Sequence, residues 1–358
     1  MSNLEQRKPR LLTGDTPTGR LHLGHWVGSL ENRVRMQNDY DCYFLIANIQ
    51  AFTTRMDRPG EVHQNVMEVM LDYLAAGIDP EKSTICIQSE ITAIAELTIF
   101  FSMIVPYARV MRNPTIKDEI RDKGLGDNYP FGFLMYPVSQ AADILAFCAD
   151  VVPVGEDQIP HLELTREVAR RFNQLYCGVD THAEDADHLK LGGLFPIPEI
   201  ILGRTRRLVG IGQPGSEGQL LKMSKSLNNA IYLSDDPDTI KKKVMAMYTD
   251  PNRLKATDKG TVENNPLWIF HETFNPDKIW VQDAEERYRA GTIGDVECKR
   301  QLIDVLVALI EPMRQRRLQY EQDMHAVKNL LKIGTDKANV CGQETLLAAK
   351  EKMHQRYF

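Results

Sequence analysis

Residues 16–25 read TPTGRLHLGH, and this stretch decides the fold class. It follows an apolar run at residues 11–12, which predicts a buried strand, and it contains Pro17 and Gly19, which favour a turn. A helix that begins near His22 presents free N–H groups to an anion, and two imidazoles can donate hydrogen bonds to phosphate oxygens. The stretch therefore predicts a strand, a phosphate-binding loop and a helix. A helix start whose histidines contact only solvent is the alternative.

The first two-thirds of the chain alternates strand and helix patterns. Buried strands are predicted at residues 10–13, 42–47, 84–88 and 151–154. Residues 62–76 repeat apolar side chains at helical spacing and stop at Gly77. Such alternation is typical of an α/β fold in which a Rossmann-type parallel sheet carries helices on both faces. The polar, acidic residues 180–193 predict an exposed insertion.

Beyond about residue 235 helical periodicity replaces the strand pattern. Helices are predicted over residues 238–247, 296–313 and 344–353. Asp295 is the expected N-cap of the middle helix, and Pro312 is expected to kink or end it. The sequence thus predicts an α/β domain followed by a helical one.

The composition is that of an ordinary globular protein. The chain has 358 residues, 43% of them hydrophobic and 26% charged, with a net charge of -6 that argues against an indiscriminate nucleic-acid binder. Its six cysteines are scattered, which favours reduced thiols over a disulfide framework. The first residues lack the apolar core of a signal peptide, and no apolar run is long enough to span a membrane. We therefore expect a cytoplasmic protein with no membrane and no DNA as partner.

A second motif, KMSKS at residues 222–226, follows the glycine-rich residues 210–218. Two ammonium groups on a loop that closes over a triphosphate can neutralise the charge that grows on a departing pyrophosphate. A solvated run of charges is the alternative. Such a fixed five-residue string rarely arises by chance, and it is rarer still downstream of the first motif.

Two further patterns are weaker. Residues 210–215 satisfy G-x-G-x-x-G, but Pro214 and the following glycines predict a loop where a dinucleotide fingerprint needs a helix, so we interpret them as a hinge. Cys177, His182, Asp187 and His188 match no zinc spacing. No resident metal site is expected.

The sequence HLGH followed by KMSKS resembles the class I aminoacyl-tRNA synthetases. YPVSQAADIL at residues 136–145 and VPVGEDQ at residues 152–158 resemble the tryptophanyl-tRNA synthetases among them. The resemblance implies a Rossmann-type catalytic domain over residues 1–234, with a helical dimerisation or insertion segment at about 95–190, and a helical anticodon-binding region over residues 235–358. It further implies that L-tryptophan is activated with Mg²⁺ and ATP and transferred to tRNA(Trp), and that the protein is a homodimer.

The resemblance assigns site residues by position. The implied catalytic residues are His22, His25, Lys222 and Lys225. The implied ATP-binding residues are Thr16, Pro17, Thr18, Gly24, His25, Lys117, Gly155, Glu156, Asp157, Leu208, Lys222, Met223, Ser224, Lys225 and Ser226. Gly24 would pack on adenine, while Glu156 and Asp157 would face the ribose; N-capping by Asp157 and an exposed helix position for Lys117 are the alternatives.

The implied tryptophan-binding residues are Leu12, Gln50, Tyr136, Gln140, Asp143 and Gln158. Asp143 is a lone carboxylate on an apolar helix pattern, and a buried charge needs a partner. The indole N–H is a donor with no acceptor capacity, which suits a carboxylate, although a structural ion pair is the alternative.

The chain departs from the common bacterial pattern at three of these positions. Asn-Ile-Gln stands at residues 48–50 where bacterial members usually carry Asp-x-His, and Leu12 and Gln140 replace Phe and Met. In this the pocket resembles a divergent bacterial second form.

In the helical region, the basic residues expected to hold the anticodon arm are Lys241, Lys242, Lys243, Arg314, Arg316 and Arg317.

Two other functions are weighed against this one. The nearer is a tyrosyl-type synthetase of the same fold, against which the residues 136–143 and VGEDQ argue. The other is a synthetase-like binding or regulatory protein that charges no tRNA, against which the intact KMSKS and the helical region argue.

Overall fold

The computed structural model describes residues 8–122, 124, 126, 128–202, 208–216, 218–250, 253, 255 and 257–358, with Asp122 and Asp157 described by their backbone alone. Its parallel strands are β1 Arg10–Asp15, β2 Asp41–Ile46, β3 Ser83–Ile87, β4 Val151–Val154 and β5 Glu199–Leu202. They lie in the order β3-β2-β1-β4-β5. The predicted α/β fold with a parallel sheet is confirmed. The strand β5 was not predicted, because it is a four-residue edge strand with no buried side chain.

The site lies where the strand order reverses. Leu11 of β1 is in register with Cys42 of β2 on one side and with Val151 of β4 on the other. The chain adds β2 and β3 on the first side and then β4 and β5 on the second. In open α/β sheets such a reversal leaves a crevice at the carboxyl ends of the strands, and ligands bind there.

The helices that accompany the sheet are α1 Leu23–His25, α2 Glu31–Met36, α3 Asn48–Arg55, α4 Pro59–Ala76, α5 Thr92–Ile104, α6 Tyr107–Met111, α7 Pro114–Asp122, α8 Phe131–Leu145 and α9 Ile159–Cys177. A π-helical stretch, Trp26–Leu30, joins α1 to α2. The helices after β5 are α10 Pro237–Met245, α11 Pro266–Phe274, α12 Lys278–Ala290, α13 Asp295–Glu321 and α14 Met324–Lys352. The predicted end of α4 at Gly77 is confirmed, since that glycine adopts a φ of 108°.

The structure corrects the predicted N-cap of α13 and one of the two outcomes expected at Pro312. Its N-cap is Gly294, so Asp295 lies inside the first turn. The helix also does not end at Pro312 but runs on to Glu321. Packing of α13 against α4 and α10 offsets the hydrogen bond that a proline removes.

The predicted insertion at residues 180–193 is largely exposed, as expected, but it is also attached to α9. Asp185 accepts hydrogen bonds from Arg166 (2.6 Å) and Arg170 (2.6 and 2.8 Å). His188 is only 1% exposed and lies 3.2 Å from the amide nitrogen of Asn173. Acidic composition alone did not reveal these arginine partners on a neighbouring helix.

The C-terminal helices pack directly on the sheet domain. α14 contacts β3 and α5, and α13 contacts α4. The Thr335 hydroxyl of α14 accepts a hydrogen bond from the backbone N–H of Ile87 in the edge strand (3.1 Å). At Gly334 a Cβ would lie 2.1 Å from the carbonyl oxygen of Ile85, so only glycine permits this approach. No helix of the described chain is both long enough and apolar enough to cross a membrane.

Candidate active site

The stretch TPTGRLHLGH forms the loop after β1 and the start of α1. His22 is the N-cap of α1, and its Nδ1 accepts a hydrogen bond from the N–H of Gly24 (3.1 Å). Nδ1 of His25 in turn accepts from the N–H of His22 (3.1 Å). Because both rings use Nδ1 as an acceptor, each neutral imidazole carries its proton on Nε2. The two histidines therefore keep one N–H donor each for a ligand.

The surroundings hold both imidazoles neutral. Burial, the neighbouring ring of His25 and the charges of Lys225 and Lys222 lower the pKa of His22 to about 2. Burial and the same lysines outweigh the attraction of Asp15 and lower the pKa of His25 to about 4. Their ring centroids are only 3.9 Å apart, so two positive charges there would repel strongly. The pair offers hydrogen bonds to an anion without needing to be charged.

The KMSKS stretch is held as a loop by one asparagine. Asn229 accepts a hydrogen bond from the N–H of Ser224 (2.7 Å) and donates one to the carbonyl of Lys222 (3.1 Å). The N–H of Met223 also donates to the carbonyl of Leu208 (3.1 Å). A Cβ on Gly210 would lie 2.1 Å from the Asn229 amide, which explains the first glycine of the G-x-G-x-x-G pattern. The described residues of this stretch form no helix, so the pattern is not a dinucleotide fingerprint.

The two motifs meet across one cleft. Nζ of Lys225 donates to the carbonyl oxygen of Gly19 (2.8 Å) and lies 3.3 Å from the Thr18 hydroxyl. Burial lowers the pKa of Lys225 to about 8, although Asp15 and Asp72 oppose the shift. The cleft has a volume of about 470 Å³. It is lined by Thr16, Thr18, His22, His25, Gln50, Thr53, Thr54, Arg55, Glu119, Tyr136, Lys222, Met223, Ser224, Lys225 and Ser226.

A buried ion pair lies beneath the first motif. Asp15, the last residue of β1, accepts hydrogen bonds from Arg33 (2.6 Å) and from the Tyr73 hydroxyl (2.7 Å). Although burial alone would raise the pKa of Asp15, Arg33 and His25 together with these bonds lower it to about 2. The carboxylate therefore stays ionised and fixes the end of β1, from which the phosphate-binding loop departs.

Asp143 lies on α8 and is 3% exposed. Its carboxylate accepts hydrogen bonds from Nε2 of Gln88 (2.7 and 2.9 Å) and Nε2 of Gln50 (2.8 Å). Burial raises the pKa of Asp143 to about 7, against the opposite effect of these two amides. The hydrogen-bond partners of this carboxylate are therefore neutral amides. The described residues form no salt bridge to Asp143, which excludes the structural ion pair that the sequence left as an alternative.

The other predicted tryptophan-site residues surround this helix. The Tyr136 hydroxyl lies 3.1 Å from Nε2 of His161 and 3.4 Å from Glu119. Gln140 donates to Gln158 (3.4 Å). Leu12 is 3% exposed in the hydrophobic cluster that α8 shares. Tyr136 and Gln50 line the cleft, so this side-chain group adjoins the two motifs.

The remaining predicted residues lie at the margins or beneath the cleft. Gly155 and Glu156 follow β4 at the carboxyl edge of the sheet, and the side chain of Asp157 lies outside the described atoms. Lys117 is exposed on α7. Pro17 and Leu208 are buried, the latter beneath the lysine loop. A Cβ on Gly24 would lie 2.9 Å from the His22 ring, so this glycine is required by the histidine cap itself.

Sequence reasoning missed several residues of the site. Gln88 and Asn229 hold Asp143 and the lysine loop, while Thr53, Thr54, Arg55 and Glu119 line the cleft. One signal was available for Gln88, because it is the first residue after a buried strand and lies at the ligand-binding edge of the sheet. The others depend on loop and helix packing. Within the described residues, no group of three or more His, Cys, Asp or Glu is placed to hold a metal.

Comparison with known proteins identifies the family of this chain. The family described as tRNA synthetases class I (W and Y) matches residues 4–311. Tryptophan–tRNA ligase of Lactococcus lactis is 47% identical over 98% of this chain and 99% of its own length. The same-named protein of Streptococcus pneumoniae is 45% identical over 98% and 99%.

A solved structure extends the likeness to three dimensions. The crystal structure of tryptophanyl-tRNA synthetase from Campylobacter jejuni, complexed with ADP and tryptophan, superposes with a TM-score of 0.78. The two sequences are 28% identical, and the match covers 96% of this chain and 99% of that one. Sequence and fold agree over nearly the whole length, and the chain belongs to the class I tRNA synthetases that serve tryptophan and tyrosine.

Proposed function

We propose that the protein is a tryptophan–tRNA ligase. The α-carboxylate of L-tryptophan attacks the α-phosphorus of ATP, a bond to the bridging oxygen breaks, and pyrophosphate leaves tryptophanyl-adenylate behind. The terminal ribose hydroxyl of tRNA(Trp) then takes the acyl group and AMP departs. Relatives named tryptophan–tRNA ligase at 47% and 45% identity support tryptophan over tyrosine as substrate.

The phosphate-binding roles belong to the two motifs. Phosphoryl transfer depends mainly on positioning and on stabilisation of charge. His22 and His25 donate Nε2–H groups to phosphate oxygens, while Lys222 and Lys225 neutralise the leaving pyrophosphate. Gly24 packs against adenine, and Glu156 and Asp157 are assigned to the ribose side of the nucleotide.

Magnesium enters with the nucleotide in this proposal. The cleft lining holds threonine, serine, histidine and lysine side chains and, among the described residues, a single carboxylate, Glu119. Mg²⁺ prefers oxygen ligands and is often bound through substrate phosphates and water. This donor set suits Mg·ATP as a substrate, in which the ion draws electron density from the phosphates while the lysines and histidines hold them.

Asp143 selects the amino acid by accepting the indole N–H. Tyr136, Gln140, Gln158, Gln50 and Leu12 complete the pocket around it. The observation that carries the proposal is the placement of a buried, amide-held carboxylate beside a cleft that both phosphate motifs enter.

The larger assignments follow from the same reading. Residues 1–234 form the catalytic domain, and residues 235–358 form the region that holds tRNA(Trp), with Lys241 and Lys242 exposed on α10 as contacts. The protein is a homodimer through the helices between β3 and β4. It acts in the cytoplasm, where tRNA is charged.

Pyrophosphate exchange with each of the standard amino acids tests the function. We expect ATP–pyrophosphate exchange with L-tryptophan alone at micromolar concentrations, followed by charging of tRNA(Trp). In the Asp143→Ala variant, exchange with tryptophan should weaken about 10- to 150-fold with the KM for ATP nearly unchanged, because a hydrogen bond to a charged acceptor is lost. Exchange with tyrosine would favour the tyrosyl alternative, and adenylation without charging would favour a regulatory protein.

A further inference from the structure

Gln88 connects three elements beneath the candidate amino-acid pocket. It opens the short 3₁₀ turn Gln88–Glu90 directly after β3, and its side chain is fully buried. Nε2 lies 2.7 and 2.9 Å from the two carboxylate oxygens of Asp143 on α8. Oε1 accepts hydrogen bonds from the backbone N–H groups of Ile49 (3.0 Å) and Gln50 (3.3 Å) at the start of α3.

The orientation of this amide is determined by its neighbours. A backbone N–H can only donate, so the two N–H groups of α3 must face Oε1 and not Nε2. The N-cap of α3 is Ala47, which has no side-chain acceptor, and Gln88 therefore supplies the cap from a different element. With Oε1 so engaged, Nε2 has to face Asp143 as a donor.

Gln88 also supports the second donor to the carboxylate. Gln50 donates to Asp143 through its own Nε2 (2.8 Å), and the backbone of Gln50 is one of the two groups that Gln88 caps. A carboxylate has about four lone-pair positions. The contacts from Gln88 and Gln50 use three of them. About one position then remains, which matches a ligand that brings a single N–H.

The chemistry of the two donors suits recognition by a charged acceptor. Burial raises the pKa of Asp143 to about 7, so a carboxyl without its amides would be protonated at neutral pH. A cationic partner would neutralise the carboxylate, whereas an amide stabilises its charge and leaves it a strong acceptor. The Cys86 thiol of β3 interacts electrostatically with Asp143. Burial raises the pKa of this thiol far above neutrality, so it stays uncharged.

We propose that Gln88 is a positioning residue for amino-acid selection, which aims the Asp143 carboxylate and fixes Gln50 so that one acceptor site is open to the indole N–H. This inference rests on the proposed tryptophan ligase function. Neither Gln88 nor Asp143 is among the residues that line the described cleft; Gln50, which donates to Asp143, is one of them.

Two variants separate positioning from folding. Gln88→Met keeps the length of the side chain but removes both its donor and its acceptor. Gln88→Glu keeps the acceptors for α3 but places a second carboxyl against Asp143. Gln37→Met is the matched control, because Gln37 is also buried and bonds the backbone of Gly77 (3.0 Å) and Asp79 (2.8 Å), and no hydrogen bond of the described residues joins it to Asp143.

The readout is tryptophan-dependent pyrophosphate exchange between pH 6 and 9, with KM for tryptophan and for ATP and with a benzothiophene analogue that lacks the N–H. Gln88→Met should raise the KM for tryptophan about 10- to 100-fold, leave the KM for ATP within about two-fold, and reduce discrimination against the analogue. Its kcat/KM for tryptophan should rise with pH through a midpoint above that of the parent, since the carboxyl now loses its proton at higher pH.

Gln88→Glu should show the opposite slope. At low pH the two carboxyl groups share a proton and one still donates to the other, whereas at high pH both are ionised and repel, so kcat/KM for tryptophan falls. An unchanged KM and pH midpoint in Gln88→Met, or losses for tryptophan and ATP that parallel those of Gln37→Met, would overturn the proposal. If Gln88→Met does not fold, a parent-like pH profile in Gln88→Glu overturns it instead. A parent that shows no exchange with tryptophan contradicts the proposed function, and this inference with it.

Discussion

At the residue scale, a small number of side chains use ordinary groups in unusual electrostatic settings. His22 and His25 are held neutral by burial and by the charges of Lys225 and Lys222, and they cap a helix start with ring nitrogens in place of the usual hydroxyl or carboxylate. Lys225, in contrast, has a pKa lowered only to about 8 and remains mostly charged at pH 7. The site thus combines two neutral hydrogen-bond donors with an ammonium group that loses its charge at moderately alkaline pH.

The Lys225 charge should appear in the pH dependence of activation. As pH rises through about 8, the ammonium of the free protein loses its proton and its attraction for pyrophosphate oxygens, so kcat/KM for ATP should fall. Bound triphosphate favours the charged form, so the fall in kcat should occur at higher pH. Pyrophosphate-exchange kinetics at saturating tryptophan measure the pH dependence of both kcat/KM for ATP and kcat.

Substitution of the same lysine supplies the control. Lys225→Arg keeps its charge and should remove the alkaline fall below pH 9. Lys225→Met should slow exchange about 10- to 1000-fold with little change in the KM for tryptophan, as expected for a contact made mainly in the transition state. A Lys225→Arg profile identical to that of the parent would assign the fall to another group.

At the scale of elements, α13 is tied to α4 by a buried arginine. Arg317 is 3% exposed and donates to Asp72 (2.5 Å) and Glu68 (2.7 Å) of α4 and to Glu321 (2.8 Å) of its own helix. Asp72 also accepts from the N–H of Leu21, directly before the histidine cap (2.6 Å). The expectation that Arg317 contacts tRNA was therefore wrong, because its guanidinium is committed to carboxylates inside the protein.

The neighbouring Arg314 and Arg316 are less buried than Arg317. Arg316 is half-buried and donates to the carbonyl of Ala75 at the end of α4 (2.7 Å), and Arg314 pairs with Glu311 on its own helix (3.0 Å). The helical periodicity of the sequence did not reveal that Arg316 and Arg317 lie against α4.

Loss of the Arg317 charge should destabilise the fold. Arg317→Met leaves Asp72 buried without its cation and should lower the free energy of unfolding by about 3–5 kcal/mol. Arg314→Met, which removes a partly exposed pair on the same helix, should change it by less than about 1 kcal/mol. Urea unfolding measures both. Adding Asp72→Asn to Arg317→Met should recover part of the loss, because the amide oxygen can still accept from Leu21; no recovery would contradict a charge-based cause.

At the scale of the whole molecule, the helices between β3 and β4 expose several large apolar side chains. Ile99 and Met103 of α5, Tyr107 of α6 and Phe131 of α8 are 48%, 72%, 66% and 72% exposed. These residues lie in the segment for which the sequence predicts dimerisation, and large exposed apolar side chains often mark an interface.

The proposed homodimer can be tested at this surface. Met103→Glu should shift the molar mass measured by light scattering from dimer to monomer at micromolar concentration, since a buried unpaired charge opposes association. Ile279→Glu is the control, because Ile279 is 82% exposed on α12, outside this surface. A monomeric parent, or a Met103→Glu dimer as stable as that of the control, would contradict the proposal.

Local patterns determined a large part of this protein. The near-continuous apolar strands β1 to β4, the glycine that ends α4 and the two phosphate motifs are features of neighbouring residues. The sequence alone therefore predicted the parallel sheet with four of its strands, and the family. The same local reasoning placed Asp143 on an apolar helix and identified it as a carboxylate in need of a donor.

Which groups meet across the sheet depends on the packing of elements that are distant in the sequence. Gln88 and Gln50, 38 residues apart in the chain, meet at Asp143. Arg317 lies 245 residues from the Asp72 that it neutralises. A periodic pattern states which face of an element is apolar but not which distant polar group that face will meet, and buried charges and amides are stabilised by such distant partners. For this reason the sequence predicted the ligand motifs, while the residues that hold them in position emerged from the fold.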